Sequence, residues 1–222
     1  MWRDAALVAA KDLRIEARTR VALNQLAPFA VLVLLLFAFA FDAERTVLRG
    51  ATPGLFWVAI LLASLLAVQR AFALERPDGL RDAVRLSGLH PGGLFLGKVA
   101  AVAVQLFALE ALLAVGVVAL YDASLSAPLL LVPTCIVGAL GLAAVGCTYG
   151  GLTGGQRVAE TILPLLVLPA LAPLLLAATQ AFEAAAADRP GEGWRWLALL
   201  VAFAAGYVGL GTATFGILLD DG

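Results

Sequence analysis

An all-α, polytopic membrane fold with six transmembrane helices is predicted by three observations. The 222-residue chain is 62% hydrophobic and 14% charged. Its mean hydropathy is +0.97. Its charges are gathered between long uncharged runs instead of being spread through them, the pattern of a membrane protein. About 20 apolar residues in a helix cross a hydrocarbon core of roughly 30 Å, and a helix satisfies its own backbone polar groups there. Six segments meet that length, at approximately 22–41, 54–74, 99–121, 128–149, 160–182 and 194–218, and residues 1–222 are read as one six-span domain.

The arm before the first span predicts an amphipathic helix. Trp2, Ala5, Ala6, Ala9 and Leu13 share one helical face and Arg3, Lys11, Arg14 and Arg18 another, which suits a helix lying on the lipid of the inner leaflet. The first apolar run, LAPFAVLVLLLFAFAF, is followed by no small-residue cleavage pattern and reads as a retained span. Lys and Arg then set the orientation. Eleven lie in the arm and the loops after spans two and four, against four on the opposite side. Cytoplasmic loops carry the excess, so both termini are expected in the cytoplasm.

Between spans two and three stands LERPDGLRDAVRLSGLHP. On a helical wheel Leu80, Ala83, Val84, Leu86 and Ser87 occupy one arc and Arg81, Asp82 and Arg85 the opposite one. Asp78 after Pro77 suits an N-cap, and Gly88 with Pro91 suits a stop. Two readings stay open: an interfacial helix between spans, or a coupling helix seated in a cytosolic partner through Leu80, Arg81, Val84, Arg85 and Leu86.

Inside the spans, Glu110 is the one deep carboxylate. A central acidic residue costs about 3 kcal/mol to insert, and the twelve Val, Leu and Phe residues of 99–121 return roughly 4–7 kcal/mol, so span three still inserts. Such a residue either pairs structurally or serves coupling or transport. Pro164, Pro169 and Pro173 each remove a backbone donor from span five, giving a bent helix or a hinge. Gly146, Gly150 and Gly154 recur every four residues in span four, a close-packing face. Trp194 and Trp196 suit a membrane interface, and Arg189 and Arg195 mark the outer loop before span six.

Several function classes are disfavoured. The net charge of -1 offers no footprint for nucleic acid. Cys135 and Cys147 have neither metal nor disulfide spacing. GGLFLGKV matches G-x-x-x-x-G-K, but Val99 stands where a P-loop needs Ser or Thr, so Lys98 reads as an anchor at the start of span three. The spans carry no Ser, His and acid set and no H-E-x-x-H, so an intramembrane enzyme is disfavoured. A self-contained secondary transporter would usually show two similar halves, and residues 1–121 and 122–222 show no convincing repeat.

PGLFWVAILLASLLAVQRAF (53–72), followed by ERPDGLRDAVRLSGLHP and GKV (97–99), resembles the second span and cytoplasmic helix of the heme exporter protein B family (CcmB). ILPLLVLPALAPLLLAATQA (162–181) is similar to that family's fifth span, and the likeness runs in order over most of the chain. Gln69 stands where the family leads one to expect an acid beside Arg70, and His90 where an apolar residue or proline is usual. The resemblance implies a non-catalytic permease subunit of an ABC-type complex for c-type cytochrome biogenesis, multi-pass in the cell inner membrane. Its partners would be a cytosolic ABC ATPase that holds the ATP, a heme-handling membrane subunit and, indirectly, a periplasmic heme chaperone. Gln69 and Arg70 join Glu110 as polar groups of interest for coupling. Heme would be cargo: the lone His90 lies on the cytoplasmic side and the lone Met is Met1, so axial ligation is expected of a partner, with no metal held here. Alternatives are a permease of another ABC exporter or a secondary transporter.

Overall fold

The computed structural model describes residues 1–20, 22–41, 44–73, 88–153 and 159–220. Among them the regular elements are all helical: α1 (Trp2–Thr19), a π-helical turn (Ala22–Leu26), α2 (Ala27–Ala40), α3 (Arg45–Ala73), α4 (Pro91–Tyr121), α5 (Pro128–Thr153), α6 (Ala159–Ala186) and α7 (Pro190–Asp220). Five of these, α3 to α7, are long and apolar enough to cross a membrane. The pair α1 and α2, bent by 58°, makes a sixth if counted as one broken span. The chain is a polytopic all-α membrane protein.

The first span keeps its sequence-based bounds of 22–41 to within a residue, but it is not one regular α-helix. Arg20 ends α1 in the left-handed conformation at φ 51°, and Pro28 sits in the first turn of α2. Proline has no N–H to donate back four residues, so the chain enters α2 through the π-helical turn. The resulting helix of 14 residues is only about 21 Å long.

Helices α3 and α4 start well before the expected positions 54 and 99. His90 caps α4, its Nδ1 accepting from the Gly92 N–H at 3.1 Å, and Pro91 occupies the first turn, where its missing N–H costs nothing. Gly88, at φ 67°, supplies the left-handed turn just before. Helix α3 extends outward because Arg49 Nε donates to the Asp122 carbonyl at 2.9 Å. The Arg49 guanidinium also pairs with the Asp122 carboxylate, and Arg45 lies 3.7 Å from it.

These contacts define two ends of the bundle. At the His90 end the start of α1, the end of α3, the start of α4 and the end of α7 meet, with Phe95 and Phe215 rings 5.4 Å apart. At the Asp122 end the start of α3 meets the end of α4, and Ser126 Oγ donates to the Ala185 carbonyl of α6 at 3.2 Å.

The core between them is built from large side chains laid on glycines. The Trp57 ring of α3 lies directly over Gly138 of α5, and it meets Phe56 edge-on at 5.6 Å. Phe56 in turn packs on Phe182 of α6 at 5.1 Å. Tyr121 is fully buried and donates its hydroxyl to the Leu34 carbonyl at 2.7 Å, tying α2 to α4.

Helix α1 is not a free surface helix. It runs along the first half of α4, its Val8 against Gly97, where a Cβ would come within 2.6 Å of the Val8 Cβ. Its buried stripe is Ala5 and Val8, whereas Trp2 is 75% and Leu7 55% exposed. Only Ala5 of the expected membrane-facing set is buried, because the glycines of α4 admit a helix backbone on that side.

Candidate functional site

Two polar constellations stand out in this apolar bundle. The first lies where α1, α3 and α4 converge. Arg70, in the last turn of α3, holds its Nε 4.0 Å from Glu16 Oε2 of α1, close enough to attract and too far to hydrogen-bond. Asp12, Glu16, Ala67, Arg70, Ala101 and Gln105 line a small recess there. Lys98 is 2% exposed; its Nζ donates to the Ala71 carbonyl at 3.3 Å and stands 4.9 Å from the Phe72 ring centre. A cation thus meets the carbonyl-rich end of α3 and an aromatic face together. Asp4 closes the same side, accepting from the His90 N–H at 3.3 Å and pairing with the N-terminal ammonium at 3.2 Å. Those donors, the ammonium first and the His90 N–H second, hold its carboxyl below its usual range.

The second constellation surrounds Glu110. This residue is 1% exposed, and neither carboxylate oxygen has a hydrogen-bond partner among the described residues. It lines a cavity of about 210 Å³ with Phe56, Phe107, Leu131, Cys135 and Phe182. Structural pairing, one of the two roles open to Glu110, finds no partner among the described residues.

The other sequence-derived positions are distributed as follows. Gln69 and Arg70 are both half-buried near the end of α3. The acid that the resemblance leads one to expect beside Arg70 comes from a different helix, as Glu16. Gly146 and Gly150 face Val68 and Phe72 of α3, so their close neighbour is in the same chain; Gly154 lies outside the described residues. Pro169 is exposed and Pro173 half-buried on α6, which runs as one helix through all three prolines. The side chain of Pro164, and all of Leu80, Arg81, Val84, Arg85 and Leu86, lie outside the described residues. His90 is a helix cap, and Lys98 is buried at a helix junction instead of anchoring at a surface.

A model of the CcmB protein family matches residues 3–219, from the first turn of α1 to the last of α7. The chain belongs to the CcmB family. The heme exporter protein B of Pseudomonas aeruginosa is 32% identical over 205 residues, covering 90% of each chain. That of Haemophilus influenzae is 31% identical over 217 residues, 95% of this chain and 96% of its own. That of Escherichia coli K12 is 34% identical over 221 residues, 88% of each.

Three features of this CcmB-family chain escaped the sequence reading. Asp4, Asp12 and Glu16 share the face of α1 that packs inward, a signal present in their spacing of eight and four but masked by the more numerous basic residues. The Arg45, Arg49 and Asp122 cluster joins residues more than seventy positions apart. The aromatic lining around Glu110 comes from three helices, and no local motif announces it.

Proposed function

We propose that this chain is the permease subunit of an ABC-type complex in c-type cytochrome biogenesis. The observation that carries the reading is the family match along almost the whole chain, joined to relatives named heme exporter protein B. A separate cytosolic ATPase supplies the hydrolysis, and a heme-handling membrane subunit holds the cargo before a periplasmic chaperone receives it. The chain sits in the inner membrane with both termini in the cytoplasm, which places the His90 end on the ATPase side. The segment through Leu80, Arg81, Val84, Arg85 and Leu86 forms the coupling surface. Arg70 and Lys98 support this reading, since they bind the end of α3, from which that segment departs, to α1 and α4. A push on the segment is thereby passed to three helices at once.

Tagged protein recovered from its own membranes in mild detergent tests the proposal. Co-purification of a P-loop ATPase and a heme-bearing membrane protein is expected, and Leu80→Ala with Val84→Ala and Leu86→Ala should release the ATPase while the chain stays in the membrane. Recovery of the chain alone, from extracts in which such complexes survive, would overturn it. Glu110 supports a second reading, a secondary transporter, which predicts transport by the purified chain alone in liposomes.

A further inference from the structure

We propose that the cavity at Glu110 is a binding site for a small organic ammonium ion with an apolar body, independent of the heme-related function proposed above. The carboxylate is the only acidic group among the described lining residues, and both of its oxygens are shielded from solvent and without a hydrogen-bond partner among the described residues. A carboxyl group in such surroundings requires either a proton or a cation with N–H donors. No described Lys or Arg reaches it: Lys98 lies twelve residues earlier on α4 and turns to Ala71.

The rest of the lining selects the cation's chemistry. Phe56, Phe107 and Phe182 contribute aromatic rings, whose faces attract ammonium groups, most strongly away from water. The remaining wall is aliphatic apart from Cys135. A hydrated metal ion would lose its water there without oxygen ligands to replace it, whereas an alkylammonium would give N–H bonds to Glu110 and its carbon body to the wall. Size sets the scale. A cavity of roughly 150 Å³ holds benzene, so about 210 Å³ holds a phenyl ring with a short aminoalkyl arm. Of the lining residues, Phe107 and Val132 are also 40% and 50% exposed on the outside of the bundle, so the proposed route of entry is from the apolar phase between them.

The test is calorimetric titration of the full-length chain in lipid nanodiscs with 2-phenylethylamine and, separately, its neutral counterpart 2-phenylethanol. The amine is expected to bind at least roughly tenfold more tightly than the alcohol, the contribution of a charge-assisted hydrogen bond. Glu110→Gln should remove that preference and leave the alcohol's affinity unchanged. Ala114→Phe, which keeps the carboxylate but fills the cavity, should abolish binding of both. Equal affinity for the two probes in the wild-type chain, no binding of the amine, or full amine affinity in Glu110→Gln would each overturn the proposal; the first two need no variant.

Discussion

Gly97 shows how one residue decides the placement of a whole helix. Its missing side chain lets Val8 and the Ala5 carbonyl sit against α4, where a Cβ would come within 2.7 Å of that oxygen. Backbone atoms cannot yield as a side-chain tip can, so any larger residue must push α1 away. Gly97→Val is expected to destabilise the docked state by about 1–3 kcal/mol, read as faster hydrogen exchange in residues 2–19. Gly54→Ala, whose position has open space, should leave that exchange unchanged. Gly97 is legible in the sequence only as a weak helix former, because its partner is ninety positions away. Glu110 is the opposite case: its burial follows from its place in an apolar run, while its aromatic surroundings do not.

At the scale of the element, α1 divides its surface into three. Ala5 and Val8 pack inward with Asp4, Asp12 and Glu16 at their flanks, Trp2 and Leu7 remain exposed, and the basic residues occupy another arc. The docked helix should therefore respond to acid. Asp4 has its carboxyl held below its ordinary value of 3.8 by the N-terminal ammonium and the His90 N–H. A lowered value means that the contact contributes fully above pH 3.8 and is lost as the pH falls through the lower, folded value. Protease accessibility of α1 should be flat from neutral pH to about 5 and rise only below the ordinary carboxylate value; Asp4→Asn should remove the Asp4 part of that rise. Helix α6 carries the other element-scale expectation. If Pro164, Pro169 and Pro173 form a hinge, replacing all three with alanine lowers cytochrome c maturation while the protein level in the membrane is kept. Full maturation in that variant would leave the prolines as shape alone. The coarse element pattern was readable because apolar runs of bilayer length declare themselves. Boundaries moved where a cap or an ion pair acted: His90 advanced α4, and Asp122 extended α3 through Arg45 and Arg49, whereas at Pro28 the first span kept its bounds and changed only its helix type.

For the whole molecule, orientation is the property on which the coupling proposal depends. A periplasm-active reporter fused after Gly222 should be inactive, and a cytoplasm-active one functional; the reverse result would put the His90 end outside and remove the ATPase from its proposed side. Sequence alone determined that the chain is an all-helical membrane protein, where most of its spans fall and which family it resembles. Hydropathy, charge bias and ordered motifs are properties of local segments, and the bilayer imposes one solution on them. Tertiary structure alone decided what the polar residues meet. It placed Glu16 beside Arg70, turned Lys98 onto the end of α3, laid α1 along α4 and enclosed Glu110 among phenylalanines. Those outcomes depend on which helix faces which, and in an apolar bundle that choice is made by close packing on glycine rather than by any pattern within a single helix.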